Sequence, residues 1–132
     1  MKKVVISGSS KLQENVNYWL NHFKNKNFEI LDYPKLITQE NYFKELPNIY
    51  NNFYNAIENT DIFFLMNEEK NGIKGYIGAS AIAELTYAVI LNLIHNKNID
   101  IYILNMPSKK VSAYDEVKFW IDIGWIKLYN EK

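Results

Sequence analysis

The stretch GYIGASAIAELTYA, residues 75–88, sets a single carboxylate, Glu84, among small and apolar side chains. Across residues 77–94 it is the only formally charged group. A surface helix normally interleaves several charges along its outer face. Burying an unpaired carboxylate is costly, so a lone one in an apolar helix needs a reason. One reason is chemical: a carboxylate can act as a nucleophile, splitting one difficult displacement into two easier ones. The other is structural, since a negative charge in the first helical turn complements the helix dipole. With Ser80 as the cap, the third helical position is Ala83, so this is not a capping box.

Two loops accompany it. SGSS, residues 7–10, supplies a tight turn at Gly8 and hydroxyls at Ser7, Ser9 and Ser10. Backbone N–H groups at a following helix start hold an anion such as a phosphate, although Ser9 or Ser10 could equally cap that helix. The second and third glycines of a dinucleotide fingerprint are missing, and the loop is not a P-loop. The second loop, residues 68–78, carries Gly72, Gly75 and Gly78, which suit close backbone approach to a ligand or unusual backbone angles. Its Tyr76 can stack on a planar ring or cover the core edge.

The elements that must position these groups follow from hydrophobic periodicity. KVVIS, residues 3–7, reads as a buried strand, residues 11–25 as an amphipathic helix, and residues 28–31 as a second strand ending at DYP. Residues 35–46 are ambiguous, a short helix inside a long loop. Pro47 fits the first turn of a helix reaching Thr60. Residues 61–67 form an apolar central strand, 80–96 the apolar helix, 99–104 a fourth strand, 112–123 a helix stopped by Gly124, and 125–129 a fifth strand. This alternation predicts one α/β domain over residues 1–132. It is a Rossmann-like or flavodoxin-like three-layer sandwich with about five mainly parallel strands. Ligands of such sheets bind beyond the carboxyl ends of the strands, which brings SGSS and the 68–78 loop to one site.

Composition narrows the function classes. The 132 residues suit one domain with a sizeable core. There is no cysteine, which excludes disulfides and thiolate metal sites and fits a cytoplasmic setting. Fifteen basic residues, all lysine, balance fifteen acidic ones, so the basic excess and arginine forks of a nucleic-acid binder are absent. The apolar run after Lys3 stops at Ile6, too short for a signal peptide. Glu84, Asn92 and Gly78 argue against a membrane span over residues 76–94. His22 and His95 are too far apart to begin a metal site, and no metal or cofactor is expected. The apolar helix has more apolar faces than one sheet can cover, which predicts a homodimer or higher homo-oligomer.

On GSS, GYIG and ELTYA, residues 84–88, the chain resembles the nucleoside 2-deoxyribosyltransferase family, which includes N-glycosidases of nucleoside 5′-monophosphates. The resemblance implies a small-molecule nucleoside or nucleotide as substrate and Glu84 as nucleophile. Ser7, Gly8 and Ser9, with Gly75, Tyr76, Gly78 and Ser80, would line the pocket, and Ser112 would reach a neighbouring subunit's site. The implied reaction cleaves or transfers at the N-glycosidic bond through a glycosyl-glutamate. A carboxylate below the anomeric carbon stabilises its oxocarbenium character and bonds to it. The leaving base also needs a proton. Here the chain departs from the family. Gly78 and Ala79 stand where an aspartate precedes the glutamate, and Asn52 and Phe53 where another falls before the third strand. Glu68 and Glu69 are the substitutes in view. Two alternatives remain at this point: a non-catalytic nucleotide-binding sensor of the same architecture, and a nucleotide phosphoribohydrolase, whose usual arginine this chain lacks.

Overall fold

The computed structural model describes residues 1–131. Five strands form one parallel sheet: β1 (Lys3–Ser7), β2 (Glu29–Asp32), β3 (Ile62–Leu65), β4 (Asp100–Ile103) and β5 (Lys127–Leu128), in the spatial order β2-β1-β3-β4-β5. The helices are α1 (Gln13–Asn25), α2 (Tyr42–Glu58), α3 (Ala79–His95) and α4 (Tyr114–Asp122).

Strand alternation sorts the core into two layers. Val4 and Ile6 of β1 and Ile62 and Phe64 of β3 pack against Val16, Trp19 and Phe23 of α1. Val5, Phe63 and Leu65 face the opposite way, onto Phe53 and Ile57 of α2, Leu85 and Ala88 of α3, and Val117 of α4. The result is the expected three-layer sandwich, with one helix on one face and three on the other. The same alternation turns Ser7, two residues after Val5, toward the α2–α3 layer. The order reverses between β1 and β3, each of which feeds its own crossover, and open α/β sheets bind ligands at such a switch point.

Two expectations are corrected. The second helix does not begin at Pro47; a 3-10 turn at Gln39–Asn41 leads into α2 at Tyr42, and Pro47 lies inside the helix. A proline there removes one intrahelical hydrogen bond, which a long helix packed through Phe53 and Ile57 tolerates. Nor does Ser80 cap the apolar helix: Gly78, in extended conformation, is the N-cap. Glu84 is therefore the sixth helical residue, and no acidic residue lies in the first turn. Because the dipole effect fades beyond that turn, the charge-dipole explanation for Glu84 fails. Gly124, at φ 83°, closes α4 as expected.

Candidate active site

Glu84 is buried, with 9% of its surface exposed. Its Oε1 accepts a hydrogen bond from Ser7 Oγ at 2.6 Å. Ser7 itself is fully buried, so it does not line the cavity but holds the carboxylate from below. Burial pushes the Glu84 carboxyl up from 4.5 to about 7, the Ser7 hydroxyl pulls it back, and the negative charge of Asp32 adds to the rise. The carboxylate opens into a cavity of about 210 Å³ walled by Asp32, Tyr33, Tyr50, Asn52 and Phe53. Aromatic walls beside a polar floor suit a planar ring attached to a sugar.

Gly8 and Ser80 line this cavity and also a second hollow beside it, with Ser9, Lys70, Tyr76 and Gly78. Gly8 has φ 153°, and a Cβ there would lie 2.6 Å from Met66 Cγ, so only glycine lets the loop lie flat against β3. Neither Ser9 nor Ser10 caps α1, which begins after Leu12 without a side-chain cap. Ser9 Oγ instead accepts a hydrogen bond from Lys70 Nζ at 2.9 Å. Lys70 is presented by the two-residue turn at Asn71-Gly72, both at positive φ, where Lys70 and Ile73 exchange backbone hydrogen bonds. Its ammonium stands 5.0 Å from the centre of the Tyr76 ring. Tyr76 thus belongs to the hollow with the cation, not to the aromatic wall near Glu84. Two serine hydroxyls, a lysine and the start of α3 give this hollow the character of an anion site.

Two expected site residues lie elsewhere. Gly75 lines neither hollow. A Cβ at its φ of 61° would lie 2.7 Å from both Met106 O and Pro107 Cα, so it is reserved for backbone contact with the β4–α4 loop. Asn67 secures that contact, accepting from the N–H groups of Leu104 and Asn105, each at 2.9 Å, and donating to Asn105 O at 2.6 Å. Ser112 is exposed in a hollow with Lys109, Tyr114 and Lys118, and does not reach Glu84 within one chain.

The two loop glutamates are not acids of this site. Glu68 Oε2 accepts from Asn15 and Trp19, both on α1, each at 3.0 Å. Glu69 is exposed and lines neither hollow. The carboxylate that does share the cavity, Asp32, escaped the sequence reading. Its signal was present: the Asp of DYP closes the second strand, at a carboxyl end where parallel sheets bind ligands.

No family model matches the chain, and no curated protein sequence matches it. Among solved structures, the chain is similar to that of the Clostridium botulinum CMP N-glycosidase BcmB. The TM-score is 0.51 and the identity 12%, over 78% of this chain and 71% of that one. At that identity the likeness speaks to architecture: the chain has the α/β three-layer fold that a nucleotide N-glycosidase also uses.

Proposed function

We propose that the protein breaks the N-glycosidic bond of a nucleoside or nucleoside 5′-monophosphate, with Glu84 as nucleophile. The observation that carries this reading is the Ser7–Glu84 pair: a desolvated carboxylate, fixed by a strand hydroxyl, at the floor of an aromatic cavity on the sheet's switch point. The sugar would sit over Glu84 with its base against Tyr33 and Tyr50. Attack by Glu84 at the anomeric carbon forms a glycosyl ester while the base departs. Water as second acceptor makes the protein a hydrolase, and a second base makes it a transferase. Two displacements retain the anomeric configuration. The Ser9–Lys70 hollow next door supports a 5′-phosphate on the substrate.

The test is a panel of nucleosides and nucleoside 5′-monophosphates in both sugar series, read as free base. The likeness to a CMP N-glycosidase puts cytidine compounds first on it. Charge-assisted hydrogen bonds contribute about 1.5–3 kcal/mol each, so the monophosphate is expected to exceed its nucleoside at least tenfold in kcat/KM. A 2-fluoro sugar analogue, which slows ester breakdown, is expected to leave a mass adduct on the peptide containing Glu84. Base release from no compound overturns the enzyme reading and leaves a nucleotide-binding module.

The same proposal includes self-association. Ile90, Leu93 and Ile94 on the outer side of α3 are exposed, 38%, 52% and 68%, and a contiguous apolar surface marks an interface. Light scattering at micromolar concentration is expected to return at least twice the 15.6 kDa of one chain; a monomer refutes it.

A further inference from the structure

A departing base needs a proton on a ring nitrogen, and Glu84, as nucleophile, cannot supply it. The positions that the family resemblance offered hold no acid: Asn52 lines the cavity as an amide, and Phe53 belongs to the core. Glu68 is engaged by α1 and Glu69 is exposed.

Asp32 reaches the cavity by a backbone irregularity. In the β1–β2 ladder Val4 pairs with Ile30, yet Val5 pairs with Asp32, so β2 carries one extra residue, Leu31. Ile30 packs on the α1 side and Leu31 on the α2–α3 side. Strict alternation would return Asp32 to the α1 side. The bulge instead aligns it with Val5, on the side that holds Glu84. Bulges re-aim side chains beside functional sites. Both hydrogen bonds to Asp32, from Tyr33 N at 2.8 Å and Lys35 Nζ at 3.2 Å, fall on Oδ1. Oδ2 has no hydrogen bond among the described residues. The Asp32 side chain is 12% exposed whereas Lys35 is 55% exposed, so the pull of that ammonium is screened by water. Asp32 and Glu84 thus reach one cavity from two different elements, β2 and α3.

We infer that Asp32 is the catalytic acid that protonates the leaving base. The inference rests on the N-glycosidase reading above. In the first step the Asp32 proton passes to the ring nitrogen and the C1′–N electron pair moves onto the base. A Glu84 oxygen bonds to C1′ in the same displacement. In the second step water gives a proton to the Asp32 carboxylate as its oxygen bonds to C1′, and Glu84 leaves as carboxylate. Asp32 ends protonated, ready for the next turnover.

The experiment compares two leaving groups in the full chain. One is a nucleoside 5′-monophosphate that the wild type hydrolyses. The other is its ring-methylated analogue (3-methylcytidine or 7-methylguanosine 5′-monophosphate), whose base already carries a positive charge and needs no proton. Asp32→Asn is expected to slow release of the ordinary base at least about 100-fold, and release of the methylated base less than threefold. Asp32→Glu keeps an acid and is expected to recover at least tenfold over Asp32→Asn on the ordinary base, a rescue that a change in folding does not produce. Equal losses on both substrates, or no loss on either, overturn the assignment of Asp32 alone. A wild type that releases neither base overturns the N-glycosidase reading, and the acid assignment with it.

Discussion

Glu84→Gln is expected to reduce base release at least about 1,000-fold while the melting temperature at pH 7 holds or rises. The activity arm follows from covalent chemistry. An amide oxygen does not form the glycosyl ester, and losing a nucleophile costs far more than losing one binding contact. The stability arm follows from burial. The charge at Glu84 is opposed by desolvation and by Asp32, with one hydroxyl in its favour. Glutamine has the same shape, accepts the same Ser7 hydrogen bond and removes the charge, so the fold loses a strained group. Release assays and calorimetry on the same preparation separate the two arms. A fall of several degrees in melting temperature, with activity lost, makes Glu84 a structural partner of Ser7 and removes the nucleophile.

The second large effect is a pH dependence of stability. The carboxyl of Glu84 titrates near 4.5 in an open chain and near about 7 in the fold. Between those values the folded state binds the extra proton, so the group stabilises the fold fully below 4.5 and loses that contribution as pH rises through about 7. The interval corresponds to about 3 kcal/mol, an upper figure for a partly hydrated site. The groups facing Glu84 are Ser7 of β1, Asp32 of β2 with its partner Lys35, Tyr54 of α2 and Ser80 of α3. His22 acts oppositely in the same range, because burial lowers its value from 6.5 and raises stability with pH. The measurement is therefore a difference: the unfolding free energy of wild type minus that of Glu84→Gln, at pH 4, 6 and 8. It is expected to fall by about 3 kcal/mol across the series. A flat difference shows that Glu84 is not desolvated.

The strands were legible because β-branched and aromatic runs in a parallel sheet carry no competing polar pattern; KVVIS became β1 with its expected bounds. The start of α2 was not, because its first residues contribute nothing to the core. Phe43 is 90% exposed, so no apolar stripe precedes Pro47 to outvote a proline in favour of a late start. Glu84 was legible as a lone charge, since cost of burial can be read from neighbours in sequence. Its partner Ser7, 77 residues away, was legible only as part of a loop motif. Gly75 was misread because glycine answers two needs alike, approach to a ligand and approach to backbone, and here the second governs. Asp32 was hidden by a bulge, a one-residue change of register that no hydrophobic pattern reports.

Every residue lining the two joined hollows lies at or before position 84. Among the described residues of one chain, the remaining third, with β4, α4 and β5, holds the sheet and the β3–α3 loop in place but lines neither. A change in what the hollows admit therefore calls for substitutions within the first 84 positions, and the latter third bears on them only through the sheet and the Asn67 clasp.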